Sequence, residues 1–343
     1  MLRPDHLLKP TPKGLYCQIG DFYLDPVRSA VERAVITHGH ADHARAGHTS
    51  VLATPDTLAI MAVRYGEKFA KQKQPLAFGQ SVTMNGVTVS FAPAGHILGS
   101  AQAIIDYRGL RVVFTGDYKR RSDPTCQPFE VIPNTHVLIS EATFGIPVFR
   151  HPDSDGEIAK LLKNKSLFPE ATHLVGVYSL GKAQRLIRLL RICGHDAPIY
   201  IHKSLEQLCH LYQSRGIDLG RLIVVGANEQ NEISREKRCC GQFVLGPPPA
   251  FSGTWGNQFI APIYAFASGW MTLRKRAKNG GIEMPIILSD HADWDELTQT
   301  IADFAPEELW VTYGREDALC RWAELNGQKA RPLRLVSYNE AAE

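Results

Sequence analysis

The chain has 343 residues, of which 44% are hydrophobic and 21% charged, and its formal net charge at pH 7 is +3. This composition is ordinary for a globular protein with one large domain or two of average size, and so mild a charge does not by itself indicate a nucleic-acid partner. Neither a run of about 18 apolar residues nor an apolar N-terminal segment of signal-peptide length occurs, so we expect no membrane span and a cytoplasmic location. The seven cysteines form no C-x-x-C pair, and we expect reduced thiols rather than a disulfide framework.

The first part of the chain, up to about residue 145, predicts short strands separated by Gly and Pro, with one helix among them. This pattern favours a sheet-rich α/β sandwich. The predicted elements are the strands Leu15–Ile19, Phe22–Leu24, Ala34–Thr37, Val87–Ala92, Ala101–Tyr107, Arg111–Thr115 and Val137–Ser140, and the helix Thr57–Tyr65.

From about residue 150, predicted strands alternate with longer helices, which is the βαβ rhythm of a parallel sheet. After a Pro/Gly-rich piece at Gly246–Gly256, the pattern resumes. The predicted helices are Gly156–Asn164, Lys182–Cys193, Ser204–Ser214, Trp294–Phe304 and Asp317–Leu325, and the predicted strands are Leu174–Tyr178, Ile199–His202, Leu222–Val225, Ile263–Ala267, Ile286–Ser289, Leu309–Thr312 and Leu333–Val336.

The strongest functional signal is an H-x-H-x-D-H motif that follows an apolar predicted strand. Gly39 is expected to permit a sharp turn there. Alternate residues of an extended segment point the same way, so His38 and His40 are expected to share one metal ion. Asp42 and His43 would then face a second metal. Imidazole and carboxylate ligands suit Zn²⁺, with Mn²⁺ as the alternative.

This motif resembles the signature of the metallo-β-lactamase superfamily. The resemblance implies two further ligands, a His and a bridging Asp, each at a strand end. His96, after the strand Val87–Ala92, and Asp117, after the strand Arg111–Thr115, match these positions. The resemblance thus implies that His96 completes the first metal site and that Asp117 bridges two divalent metal ions.

A later histidine, His291, follows another apolar strand and resembles the late metal ligand of the β-CASP nuclease branch. In that branch a second domain is inserted before this histidine. The resemblance therefore implies an αββα sandwich at 1–147 and 266–343, interrupted by an inserted α/β β-CASP domain at 148–265. It also implies that Glu141 holds a ligand histidine through its other ring nitrogen. Asp25 has either a similar orienting role or that of a simple turn residue.

Two metal ions and a carboxylate suit phosphodiester hydrolysis, because they activate water and neutralise charge at phosphorus. We expect Asp42, His291 and Glu141 to be the catalytic residues, with Asp42 orienting the nucleophile or accepting its proton. Within the branch, the chain looks most similar to Artemis-like DNA-repair exonucleases and bacterial ligase-associated DNA exonucleases. RNA-processing members typically carry a His where this chain has Tyr313, which favours DNA.

The resulting hypothesis is a DNA exonuclease, 5′-to-3′ by resemblance, that acts in DNA repair or end processing alongside an ATP-dependent DNA ligase and a helicase. The alternatives are an RNA-processing β-CASP nuclease, a small-molecule ester or lactone hydrolase, and a non-catalytic DNA-binding or scaffold protein.

Five residues are candidates for binding a substrate phosphate. Ser179, Gly181 and Lys182 open a predicted helix, where free N–H groups and a cation attract anions. Ser268 and Gly269 follow the strand Ile263–Ala267 and offer hydroxyl and backbone donors.

Three basic runs are further candidates for phosphate contact, although a solvated helix face would look the same for the first. They are the helical stripe Lys182, Arg185, Arg188 and Arg191, the run Lys119–Arg121, and Arg274–Arg276 with Lys278. Trp255, Trp270 and Phe144 are candidates either for base stacking or for core packing.

Overall fold

The computed structural model describes residues 3–225, 239–253, 255–259 and 262–334. The chain divides into two compact units, the first formed by Met1–Val148 with His291–Glu343 and the second by Phe149–Asp290. The predicted boundary at 265 lies inside the second unit, because the strand Ile263–Ala267 pairs with His173–Gly176 in that unit's sheet.

The helices and strands follow in chain order. Up to the second unit they are α1 (Pro4–Leu7), β1 (Leu8–Thr11), β2 (Gly14–Cys17), β3 (Phe22–Leu24), β4 (Arg33–Val35), β5 (His48–Ala53), α2 (Pro55–Tyr65), β6 (Ala70–Pro75), β7 (Ser81–Met84), β8 (Val87–Pro93), β9 (Ala101–Tyr107), β10 (Leu110–Phe114) and β11 (Val137–Ala142). Thereafter they are α3 (Ser154–Leu167), β12 (His173–Gly176), α4 (Lys182–Ile192), β13 (Ile199–His202), α5 (Lys203–Ser214), β14 (Leu222–Val225), β15 (Phe243–Gly246), α6 (Pro248–Phe251), β16 (Ile263–Ala267), α7 (Arg274–Asn279), β17 (Met284–Ile286), α8 (Trp294–Phe304), β18 (Glu308–Gly314), α9 (Glu316–Leu325) and β19 (Ala330–Pro332).

The first unit is a four-layer sandwich. One sheet has the order β1-β2-β3-β4-β5-β6 and the other β19-β18-β11-β10-β9-β8-β7. Buried side chains from both sheets, such as Phe22 and Phe114, form the central core. The outer face of the first sheet packs on Met61 of α2, and that of the second packs on Leu297 of α8 and Leu319 of α9. The α/β fold class and the sandwich predicted from the sequence are therefore confirmed.

The second unit contains a sheet with the order β14-β13-β15-β12-β16-β17. Every strand pair in it is parallel among the described residues. The carboxyl ends of its strands therefore meet at one edge, which is where parallel α/β sheets ordinarily bind ligands.

Most predicted elements agree with the structure to within a few residues. The strand predicted at Ile286–Ser289 instead ends at Ile286, because the N–H of Ile287 donates to the Glu157 carboxylate rather than to a neighbouring strand. The structure has the last strand at Ala330–Pro332; of the predicted Leu333–Val336, residues 335–336 lie outside the described residues, as does residue 254 of the Pro/Gly-rich piece.

Four strands of the first unit were not predicted, namely β1, β5, β6 and β7. β6 reads A-K-Q-K-Q-P and is largely exposed at a sheet edge, so it lacks the apolar alternation on which the prediction depends. Within the described residues, no helix is both long and apolar enough to cross a lipid bilayer.

Candidate metal centre

The H-x-H-x-D-H segment begins three residues after the end of β4 and is anchored by a buried carboxylate, that of Asp25. The Thr37 N–H donates to Asp25 Oδ1 (2.8 Å), and the Thr37 hydroxyl donates to Oδ2 (2.5 Å). The same Oδ2 lies 2.8 Å from Nδ1 of His43. Asp25 therefore orients both ends of the segment. These contacts favour the orienting role over that of a simple turn residue.

Gly39 is required for a reason other than the predicted turn. The φ angle of Gly39 is not positive, so the backbone conformation at this position does not require a glycine. A Cβ added at this position would lie 2.4 Å from Cγ2 of Ile60 on α2. The glycine therefore lets the buried helix approach the motif closely.

The first cluster of donors lies where the motif meets the ends of β8 and β10. His96 follows β8, and Nε2 of His96 lies 3.0 Å from Nδ1 of His40. Nε2 of His38 lies 3.4 Å from Oδ2 of Asp117, which follows β10. Each side chain is buried and offers a donor atom within 4.8 Å of the others. These four residues are the ones assigned to the first metal site from the sequence.

The loop before Asp117 needs a glycine. Gly116 has φ +55°, and an added Cβ would lie 2.5 Å from the Thr37 hydroxyl oxygen. Only a residue without a side chain lets this loop approach Thr37 so closely.

A second group of donors shares the Asp117 carboxylate. Nε2 of His43 lies 3.4 Å from Oδ2 of Asp117, and Nδ1 of His291 lies 3.0 Å from the Glu141 carboxylate. Glu141 also accepts the N–H of Tyr118 (2.8 Å). Asp42 is near the rim, with a carboxylate oxygen 3.7 Å from Nε2 of His43.

Three of these histidines share an arrangement that leaves Nε2 available. Nδ1 of His38 contacts the Thr37 hydroxyl (3.0 Å), that of His43 contacts Asp25, and that of His291 contacts Glu141. Such contacts set the ring orientation and direct the other nitrogen inward.

The donor set fits divalent metal ions. Nε2 of His38 and Oδ1 of Asp42 are buried and have no hydrogen-bond partner among the described residues. A buried polar atom without a partner is costly, and a bound cation would satisfy both. Five imidazoles and several carboxylates without thiolate suit Zn²⁺ best and Mn²⁺ next.

Burial and the surrounding charges shift the pKa values of two histidines of the cluster in opposite directions. Burial and the neighbouring imidazoles of His43 and His96 hold the pKa of His38 well below its usual value, so His38 is neutral at pH 7 and its lone pair can bind a metal. Burial also lowers the pKa of His43, but the carboxylates of Asp117 and Asp42 outweigh burial and hold that pKa well above its usual value.

The run Lys119–Arg121 makes intramolecular ion pairs with α8 rather than presenting three open cations. Lys119 is buried and its ammonium lies 3.2 Å from Glu296, while Arg120 and Arg121 pair with Asp303 and Asp293. Lys119 therefore anchors α8, and phosphate contact by this run stays a prediction.

The predicted phosphate-binding residues belong to the second unit, at the carboxyl ends of the paired strands β12 and β16. Lys182 is buried, with its ammonium 2.8 Å from Oδ2 of Asp290, and the Gly181 N–H donates to Gln184. The Ser268 hydroxyl accepts the N–H of Trp270, the residue after Gly269. Ser179 contributes its carbonyl to Gln184.

The predicted basic stripe on α4 is not a continuous solvated face. Arg185 is buried and donates to the carbonyl of Ser289. Arg191 donates to four carbonyl groups, and Arg188 pairs with Asp218. The stripe therefore mainly ties α4 to neighbouring loops, because buried cations require partners.

Sequence reasoning missed Thr37 and did not identify a partner for Lys119. Thr37 could have been found from its position directly before the motif, where a hydroxyl can reach both a carboxylate and a ring nitrogen. Tyr313 has φ +57°, and its ring centroid lies 5.1 Å from that of His43.

Comparison with known proteins gives one family and several relatives. The sequence profile of the metallo-beta-lactamase superfamily matches residues 28–172. A protein of Opitutus terrae named as a probable DNA ligase is 26% identical over 324 residues, covering 90% of this chain and 30% of that protein. Endoribonuclease ysh1 of Aspergillus fumigatus is 35% identical over 202 residues, covering 55% of this chain and 22% of that protein.

Subunit 3 of the cleavage and polyadenylation specificity factor of Dictyostelium discoideum is 30% identical over 152 residues, covering 40% of this chain and 18% of that protein. The chain thus spans 30% or less of the length of these relatives. A crystal structure of a protein of unknown function from Enterococcus faecalis has a TM-score of 0.56 and 13% identity, and covers 91% of this chain and 80% of that one. At this identity the likeness concerns the fold alone.

Proposed function

Because the chain carries a metallo-beta-lactamase domain and its similarities are consistent with the β-CASP branch, we propose that it is a metal-dependent nuclease that hydrolyses phosphodiester bonds in DNA, with two divalent metal ions. The observation that carries the proposal is the cluster of five histidines, four of them buried, around the Asp117 carboxylate. Zn²⁺ is the proposed metal, and Mn²⁺ the alternative.

The roles of the residues follow from their contacts. His38, His40 and His96 would hold one ion and Asp42, His43 and His291 the other, with Asp117 shared between them. Bound divalent ions would supply activation of water and neutralisation of charge at phosphorus. Asp42 is partly exposed at 18% and has an oxygen without a hydrogen-bond partner among the described residues, so it can orient the nucleophile and accept its proton.

Glu141 is fully buried, and its carboxylate is within hydrogen-bond distance of Nδ1 of His291. We assign it the positioning of His291 rather than direct contact with substrate. His291 remains 13% exposed, so of the two residues it is the one that solvent and substrate can reach.

Two observations support DNA over RNA as the substrate. Tyr313, rather than a histidine, lies beside His43. The relative matched over 90% of this chain is named as a probable DNA ligase, which also motivates the proposed association with a ligase. The endoribonucleases have higher identity over shorter segments, so an RNA-processing nuclease is the second candidate.

The test is hydrolysis of matched DNA and RNA oligonucleotides with a labelled 3′ end, with and without a 5′-phosphate, in Zn²⁺ or Mn²⁺. A 5′-to-3′ exonuclease should produce a ladder on DNA that depends on the 5′-phosphate. Asp117→Asn should reduce the rate by at least about a thousandfold, because loss of the shared carboxylate disrupts both metal sites.

Asp196→Asn is the matched control, since Asp196 is an exposed aspartate of the second unit. It should cut at the rate of the unaltered protein. Preferred cutting of RNA would replace the DNA proposal with the RNA-processing one. Absence of metal-dependent cutting of either polymer would overturn the nuclease proposal and direct attention to small esters and lactones, or to a non-catalytic DNA-binding role.

A further inference from the structure

The short helix α7 presents four cations to solvent. Arg274, Lys275, Arg276 and Lys278 are exposed, and none of them makes an ion pair with a carboxylate among the described residues. The other basic runs, on α4 and before α8, are largely paired. The nearby carboxylate of Glu283 accepts the N–H of Tyr264 (3.1 Å) instead of pairing with these cations. This part of the second unit is therefore suited to a polyanion.

A cavity of about 680 Å³ adjoins this helix within the second unit. Its volume falls in the range of roughly 300–1,000 Å³ that is typical of small-ligand sites. Five aromatic side chains and one guanidinium contribute to its wall. The side chains that define it are Tyr178, Phe251, Tyr264, Phe266, Trp270 and Arg276.

The aromatic rings that line the cavity are steeply inclined to one another. The rings of Tyr178 and Phe266 are 6.1 Å apart at 78°, and those of Phe251 and Tyr264 are 6.3 Å apart at 60°. The Arg276 guanidinium lies 4.1 Å above the Trp270 ring. A flat, polarisable ligand can stack in such surroundings, whereas an aliphatic chain gains nothing from the guanidinium.

A glycine in the neighbouring strand keeps the cavity open. Gly176 is the last residue of β12, and an added Cβ would lie 2.9 Å from Phe266 and 3.4 Å from Phe251. Any side chain there would press on both rings.

We propose that this cavity binds a nucleobase of single-stranded nucleic acid, with the phosphates on either side of that base held by the α7 cations. Aromatic surfaces beside a basic surface are the usual means of binding single strands without sequence preference. The site is distinct from the metal centre. The identity of its ligand rests on the proposed nuclease function, since the enzyme would bind its substrate strand here.

The experiment measures binding rather than cutting, so that it is independent of catalysis. Full-length Asp117→Asn protein is titrated with a fluorescent single-stranded DNA and with the same strand in which the bases are replaced by abasic sites. The base-containing strand should bind about tenfold more tightly, which corresponds to stacking of a single base.

Trp270→Leu and Tyr264→Leu should each remove most of this preference, and Trp270→Phe should restore it because an aromatic face returns. Lys275→Ala with Lys278→Ala should weaken both strands alike and reduce the salt dependence of binding by about one unit of slope per lost phosphate contact. Lys68→Ala, at an exposed lysine of the first unit, is the charge control and should change neither strand.

Circular dichroism and the melting temperature identify any variant that fails to fold, and the lysine variants, which lie on the surface, keep the test decisive. An unchanged preference for bases in folded Trp270→Leu and Tyr264→Leu proteins would overturn the proposed pocket even if the nuclease is active. If the unaltered protein does not cut DNA or RNA but the base-containing strand still binds more tightly than the abasic strand, the proposed activity alone would be overturned.

Discussion

At the scale of single residues, the metal centre depends on side chains that act through the ligands as much as on the ligands. Asp25, Thr37 and Glu141 each contact Nδ1 of a histidine. Because a fixed ring needs no reordering when a cation binds, these contacts preorganise the site.

Glu141→Gln tests this positioning. The amide keeps an acceptor for the Tyr118 N–H but loses the charge beside His291. We expect metal affinity to fall by roughly 10- to 100-fold, as is usual for loss of a partner of a metal-binding histidine. Competition with a chromophoric zinc chelator measures it, and Glu67→Gln, at an 80% exposed glutamate, is the control. A zinc affinity of Glu141→Gln equal to that of the unaltered protein would contradict the positioning role.

Gly39→Ala tests the close approach of α2. The new methyl group would meet Cγ2 of Ile60 at 2.4 Å, and such overpacking typically costs about 1–3 kcal/mol. Ile60→Ala removes that Cγ2. The loss of unfolding free energy in the double variant Gly39→Ala with Ile60→Ala should therefore be smaller than the sum of the losses in the two single variants. Urea denaturation gives the free energies of unfolding, and strict additivity would show that the two residues do not compete for space.

At the scale of elements, α8 is joined to the loop after β10 by its N-terminal residues. Asp293 and Glu296 cap each other, since the Glu296 N–H donates to Asp293 and the Asp293 N–H donates to Glu296. Glu296 also accepts from Lys119 and from the backbone N–H groups of Arg120 and Arg121. This joint holds the helix that begins three residues after His291.

The stability of this joint should depend on pH. Burial raises the pKa of Glu296, but Lys119 and the other donors outweigh burial and hold that pKa below 4.5. A depressed carboxyl pKa stabilises the fold above the unfolded-state pKa, and this stabilisation is lost as the pH falls through the folded-state pKa.

Glu296→Gln should therefore cost roughly 2 kcal/mol at pH 7, the size of a hydrogen bond to a charged group, with the difference from the unaltered protein shrinking below about pH 4.5. Denaturant unfolding at a series of pH values measures it. Glu324→Gln, at an exposed residue of α9, should show no such trend. A difference that is constant with pH would contradict the argument.

In the second unit, two cations at the start of α4 are buried by packing, although the sequence suggested that they lie on the surface. Lys182 and Arg185 looked like surface cations at a helix start, yet both are buried and directed to Asp290 and Ser289, directly before His291 in the chain. We therefore expect them to support the segment that carries a metal ligand, and their assignment to substrate phosphate remains a prediction.

At the scale of the whole molecule, the metal centre joins distant parts of the chain. The segments around residues 25, 38–43, 96, 117, 141 and 291 meet only in the folded first unit, so we expect metal binding at this cluster to be linked to folding. Added Zn²⁺ should raise the melting temperature of metal-free protein, by an amount that reflects about 4 kcal/mol at a thousandfold excess over the dissociation constant.

Differential scanning calorimetry tests this prediction. His38→Ala should remove most of the zinc-dependent shift, whereas His6→Ala, at an exposed histidine of α1, should keep it. An equal shift in both variants would mean that zinc acts away from the proposed cluster.

The sequence alone determined the α/β class, the order of most strands and helices, and the clustered candidate ligands His38, His40, Asp42 and His43, because apolar periodicity and clustered histidines are local patterns. The candidates His96, Asp117 and His291 followed from the resemblance of the sequence to a known family. The sequence also indicated Glu141 and Asp25. It did not reveal polar edge strands such as β6, whose formation depends on a neighbouring strand rather than on its own side chains.

Only the tertiary structure decided what surrounds those residues. It showed that Gly39 is required by Ile60 and that Lys119 and Lys182 are paired with carboxylates. In the part of the chain that the structure describes, no carboxylate pairs with the α7 cations. The tertiary structure also brought the aromatic residues of β16 and of the loops around it to one cavity. The sequence shows which side chains are charged or aromatic. The interaction energies of those side chains depend on burial and on the distance to an opposite charge, and only the packed chain sets both quantities.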